Sequence, residues 1–228
     1  MRSVLEAPKS FLRIPLWQWI LAALAFGVVV GGGVALLRNS SQRAPAAVST
    51  LPGRPAAAWA AGREPAPDFR LADAHGAPIS LERFRGRPVI VTFIDPVCRT
   101  LCPLEAKELN QAVAETPRAE RPAIVAVSVD PWADSRTAFS SDQRKWRLVP
   151  AWHWAVGRYS QLSRVWKSYK IGVLDRKTTV GGITVHDVSH TEASFVIDGA
   201  GYERALFLFP FSGGDVAAEL QRLRRPRA

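Results

Sequence analysis

Two apolar runs constrain this chain more than any other feature. "VIVTFI" spans Val89 to Ile94, and "AIVAVSVD" spans Ala123 to Asp130. Both are rich in β-branched residues and show little polar alternation, the pattern of strands buried on both faces. Between them, "LCPLEAKELNQAVAE" (Leu101 to Glu115) carries Leu101, Leu104, Leu109 and Val113 at helical spacing. Two buried strands separated by a helix predict an α/β domain.

The rest of the pattern extends this plan. "DFRLADAHGAPISLERFRGRP" reads as a short hairpin and loop, turning at His75-Gly76. "DSRTAFSSDQRKW" and "YSQLSRVWKSYK" read as helices, with Asp134 and Ser160 as expected N-caps. "ASFVID" and "ERALFLF" flank Asp198-Gly199 and predict a hairpin. "GDVAAELQRLR" is a final helix, and "GGITVHDVSH" is expected to be a loop. A parallel pair completed by an antiparallel hairpin, with a helix last, is the plan of a thioredoxin-like fold. The globular domain is expected over residues 67–228, behind a flexible Ala-, Pro-, Ser- and Arg-rich linker at 38–66.

Ile14 to Leu37 holds no charge over 24 residues. At 1.5 Å per residue, about 24 residues can cross a bilayer core of roughly 30 Å. Residues 14–37 are therefore expected to be a transmembrane anchor, with Trp17 and Trp19 at an interface. Arg2, Lys9 and Arg13 lie in segment 1–13, and Arg38 and Arg43 follow the span. This balance weakly favours a cytoplasmic N-terminus and an extracytoplasmic domain at a bacterial cell membrane. A cleaved signal peptide is the alternative, but its apolar region is usually about 7–15 residues. The net charge is +10, yet the nearest approach to a basic cluster is Arg222 to Arg227. No zinc-finger spacing or RNA-recognition signature accompanies that charge, so nucleic acid is not an expected partner.

The chain has two cysteines, Cys98 and Cys102, where the first buried strand gives way to the helix. Both in the first helical turns would share a face, with Cα atoms roughly 6.2 Å apart. Disulfides accept about 4.4–6.8 Å, so a bridge fits. The helix's positive end would also favour thiolates. The spacing thus suits a reversible disulfide or two soft thiolates for one metal. A peroxiredoxin-like spacing starts at Pro96 and Thr100, but its next step falls on Pro103, not on Cys102. Two cysteines and scattered histidines also make a poor zinc site. His75 reads as turn surface, His153 as structural, and His186 as a spare ligand at most.

Three stretches together resemble the Sco/SenC family, the thioredoxin-like copper-binding proteins that help assemble cytochrome c oxidase. They are "CRTLCP" (Cys98 to Pro103), "SVDPWAD" (Ser128 to Asp134) and "VSHTEASFVIDGAG" around His190. The similarity runs from about Pro67 to the C-terminus. It implies a copper site made by Cys98, Cys102 and His190. Soft thiolates suit Cu(I) and imidazole also suits Cu(II). The implied partner is the copper-bearing subunit of the oxidase or another copper chaperone. A thiol–disulfide oxidoreductase using Cys98 and Cys102 as its redox pair is the alternative function.

Two departures carry expectations. The family has an acidic residue directly before its late His, where this chain has Ser189; Asp187 is expected to orient the imidazole instead. Arg99-Thr100 replaces the common Pro-Asp between the cysteines, and Arg99 is expected to favour thiolate.

Overall fold

The computed structural model describes residues 54–223. The expected anchor at 14–37, the linker up to residue 53 and the end of the basic tail lie outside those residues. No helix among the described residues is long and apolar enough to cross a membrane.

A six-stranded mixed sheet forms the centre, in the order β1-β10-β9-β4-β5-β6. Its parallel half is β4 (Val89–Ile94), β5 (Ala123–Ser128) and β6 (Trp152–Ala155). β9 (Ala193–Ile197) runs antiparallel to β4, β10 (Glu203–Leu208) to β9, and β1 (Ala57–Ala58) to β10. Every residue of β4, β5 and β9 is buried, as their unbroken apolar runs predict. The chain thus adopts the thioredoxin-like arrangement of a mixed sheet between helices.

Alternating side chains of β4 feed two layers. Ile90 packs with Leu109 and Val113 of α1 (Leu101–Glu115) and with Val216 and Leu220 of α4 (Gly213–Arg222). Val89, Val91 and Phe93 face Leu162, Val165 and Trp166 of α3 (Tyr159–Ser168). That second face is closed by Leu71 and Ile79 of the β2–β3 hairpin (Leu71–Ala72 and Pro78–Ile79). α2 (Arg136–Lys145) sends Phe139 onto Ile94, Ala126 and Cys102. Each fully buried Ile, Val or Phe contributes roughly 1.5–3 kcal/mol, so this packing fixes the strand ends that carry the site.

Several local expectations change. Residues ahead of 67, inside the expected linker, pair with the sheet. Ala57 and Ala58 pair with Leu206 and Ala205, and Pro65 bridges Tyr202. The exposed edge of β10 needs hydrogen-bond partners, and an Ala-rich segment supplies them without bulk. The N-cap of α2 is Ser135, whose hydroxyl accepts from the Ala138 N–H, and Asp134 lies outside the helix. α3 is capped at Arg158, with Ser160 inside it.

The largest difference lies between residues 173 and 190. The expected loop is a long antiparallel hairpin, β7 (Val173–Val180) and β8 (Ile183–His190). Gly181 and Gly182 turn it with φ of 58° and 81°. Positive φ at both central residues is what a tight two-residue hairpin needs, and glycine adopts it without strain.

Candidate metal and thiol site

The site forms where β4 ends, α1 begins and β8 runs into β9. After Ile94 the chain turns, with the Cys98 N–H donating to the Asp95 carbonyl at 3.1 Å. Cys98 sits in this turn and not in the helix, so the expected one-face pairing within α1 does not occur. Cys102, the second residue of α1, is fully buried, while Cys98 is partly exposed; both are free thiols.

The start of α1 has no side-chain cap and no acidic residue in its first turn. Its positive end is therefore left to act on what lies before it. The Cys98 thiol is held down to about 4, first by a hydrogen bond from the Cys102 thiol. The N–H groups of Thr100 and Cys102 and the Thr100 hydroxyl, 3.6 Å from Sγ, add to this against the cost of burial. The Cys102 thiol is pushed up by that same hydrogen bond and then by burial. The pair is asymmetric: an accessible thiolate and a buried thiol.

Arg99 does not take its expected role beside the thiolate. Its Nη1 donates to the Cys98 carbonyl at 2.9 Å and lies 3.7 Å from the buried Asp142 carboxylate on α2. The guanidinium thus ties the cysteine turn to α2.

His190 is the last residue of β8, so it arrives on a strand and not on a loop. Its Nε2 lies 3.9 Å from the Cys102 Sγ. Its Nδ1 lies 3.1 Å from the Thr191 carbonyl, which only accepts, so Nδ1 carries the hydrogen. Burial pulls the imidazole below its ordinary value. Burial thus favours the neutral ring, and with the hydrogen on Nδ1 the Nε2 lone pair is turned towards the thiol, the orientation of a metal-binding histidine. Asp187 takes no part, contrary to expectation. Its side chain is 73% exposed and pairs with Arg176 on the outer face of the hairpin at 3.9 Å.

Sequence reasoning missed two carboxyls. Glu192 Oε1 lies 3.9 Å from Cys102 Sγ and 3.4 Å from His190 Nε2. Burial, then Glu105, pushes the Glu192 carboxyl up to about 9. Glu105 is wholly buried on α1, and its Oε1 accepts from Thr92 Oγ1 at 2.8 Å and Ser194 Oγ at 2.7 Å. A glutamate with apolar neighbours on both sides in the helix pattern, and one placed just before a buried strand, were the available signals.

The remaining histidines stand apart. His186 has its Nδ1 3.0 Å from Asp175 and its ring stacked on Trp132 at 3.9 Å, which fastens the hairpin to the "SVDPWAD" turn. His75 lies on the β2–β3 turn, and His153 packs against Phe84. The structure therefore brings Cys102 and His190 together beside Cys98 and leaves the other three histidines elsewhere.

A thioredoxin-like domain with a redox-capable CxxxC and an imidazole opposite its buried thiol defines a class of thiol proteins equipped for soft metals. The SCO1/SenC family model matches residues 60–225, and the chain belongs to that family. Solved structures of similar fold include copper-bound ScoI from Bradyrhizobium japonicum, 21% identical over 69% of this chain and 98% of that one, with a TM-score of 0.60. Apo Sco1 from Thermus thermophilus is 24% identical over 70% of this chain and 91% of that one, with a TM-score of 0.60. The thioredoxin domain of a thiol-disulfide oxidoreductase from Bacteroides vulgatus is also similar, at 18% identity over 73% of this chain and 100% of that one, with a TM-score of 0.52. No match was found among curated proteins.

Proposed function

We propose that this protein binds copper through Cys98, Cys102 and His190 and delivers it to, or matures, the copper site of cytochrome c oxidase. The observation that carries this reading is the His190 Nε2 lone pair, 3.9 Å from the buried Cys102 sulfur. The donor set fits copper. Thiolate sulfur suits Cu(I), and imidazole serves both oxidation states. Membership of the SCO1/SenC family and the copper-bound relative of similar fold support the same metal. Held this way, copper would supply the cargo, and the partly exposed Cys98 would be the ligand an acceptor protein reaches first.

The charge-free segment Ile14 to Leu37 supports placing the domain outside the cytoplasm, anchored in a bacterial cell membrane. There it would meet the copper-bearing subunit of the oxidase or another copper chaperone.

A second reading has its own observation. The thiolate of Cys98 beside the buried thiol of Cys102 is the asymmetry that a thiol–disulfide oxidoreductase needs, with Cys98 attacking and Cys102 resolving. Cells lacking the protein separate the two readings. Under copper delivery, oxidase activity is lost, is restored by added copper, and is not rescued by the His190→Ala chain. Full rescue by His190→Ala, together with restoration by an added thiol reductant, contradicts delivery and favours the reductase.

A further inference from the structure

We propose that Glu192 is a fourth donor to the metal and the one that lets this site hold Cu(II). The inference deepens the copper reading above and rests on it.

The three atoms Cys102 Sγ, His190 Nε2 and Glu192 Oε1 form a nearly equilateral triangle, with edges of 3.9, 3.4 and 3.9 Å. Metal–donor bonds of roughly 2.0–2.3 Å at tetrahedral angles give donor–donor separations of about 3.3–3.8 Å. One small cation therefore fits among these atoms with little displacement. Among the described residues, this is the grouping of three Cys, His or carboxylate donors that lies within the span of one ion.

The carboxyl is built into the site. The side chain of Glu192 is only 12% exposed, and that of His190 is 4% exposed. Glu192 Oε2 and Glu105 Oε2 are both buried, and the two carboxyls interact. Two carboxyls buried against each other are costly unless a shared proton or a cation compensates them. The backbone at this point is pinned from both sides. The Thr191 N–H donates to the Gly172 carbonyl at 2.9 Å, and the Phe209 N–H donates to the Glu192 carbonyl at 3.1 Å. His190 and Glu192 are therefore held as a unit where β8 passes into β9.

The choice of donor decides the oxidation state it favours. Cu(I) is soft, and thiolates with an imidazole satisfy it. Cu(II) favours N and O donors, and a carboxyl that releases its proton to solvent on binding adds negative charge where the dication needs it. Ser189 and the outward-facing Asp187 leave the other side of His190 without an inward carboxylate. Glu192 supplies one from the opposite side.

The test uses the full chain in detergent, reduced beforehand, freed of reductant and held anaerobic, with Cu(I) and Cu(II) added to separate samples. Cu(I) affinity is read by competition with a chelator, and Cu(II) binding by affinity and electron paramagnetic resonance. The isosteric Glu192→Gln is expected to weaken Cu(II) by about 10–100-fold and to shift its copper hyperfine splitting. Cu(I) affinity is expected to change by less than about threefold, because its soft donors remain. Glu192→Asp, which keeps the charge, is expected to recover part of the Cu(II) signal. If wild type binds copper and Glu192→Gln binds both states with unchanged affinity and spectrum, Glu192 is not a ligand, while the copper reading stands. If wild type binds neither state, both are overturned.

Discussion

His190 Nε2 and Cys102 Sγ lie 3.9 Å apart across 88 positions of chain. Two constructions bring them there. Cys102 is placed by the first turn of α1 under the end of β4. His190 is placed by the end of β8, whose partner strand begins at Val173 directly opposite it. Between them, Glu105 ties α1 to β4 and β9 through Thr92 and Ser194. The site is thus assembled from helix and strand ends, as a site must be if it is to hold an ion in one geometry.

Cys98 is expected to react as a thiolate well into the acid range. Its folded value of about 4 lies far below the ordinary 9.0, so the anion persists as pH falls. In the reduced protein, the rate of alkylation by iodoacetamide should stay nearly flat from about pH 8 down to about pH 5, then drop. A rate that climbs steadily with pH towards the alkaline range would mean that the helix start and Cys102 do not stabilise the anion.

Glu105 is expected to carry stability. Glu105→Ala removes the acceptor of two buried hydroxyls, each costing about 1–3 kcal/mol when left unpaired. Urea unfolding should show a loss of roughly 2–5 kcal/mol, with Glu105→Gln losing less because an acceptor oxygen remains. Equal losses for the two variants would contradict the hydrogen-bond account.

How much of this was legible in the sequence depends on the kind of signal. Val89 to Ile94 and Ala123 to Ser128 were readable because apolar runs report burial directly. The cysteine pair and His190 were readable because their chemistry is distinctive. The β7–β8 hairpin was not. Its residues are mostly exposed, so no long apolar run marks it; the signals were the β-branched Thr178 to Val180 and Ile183 to Val185 on either side of Gly181-Gly182. Glu192 and Glu105 were missed for the converse reason. A glutamate reads as surface until tertiary structure buries it.

Buried carboxyls should make the fold more stable in mild acid. Burial raises Asp134 to about 7, and Asp95 and Asp142 to about 6, from an ordinary 3.8. Between about pH 4 and 7 these three carboxyls therefore bind more protons in the folded chain than in the unfolded one, opposed in part by the Cys98 thiolate. Their contribution is fully present below the unfolded value and is lost as pH rises through the folded values. The thermal midpoint of the reduced apo protein should be higher at about pH 5 than at about pH 7.5. Asp142→Asn should flatten that slope, and an unchanged slope would assign it to other groups.

Copper binding by the reduced full chain tests the central claim most directly. Wild type should retain one Cu(I) per chain against a competing chelator. His190→Ala should weaken retention by at least about tenfold, while leaving the alkylation of Cys98 unchanged. A wild-type chain that keeps no copper, or a His190→Ala chain that keeps it equally well, would contradict the site proposed here.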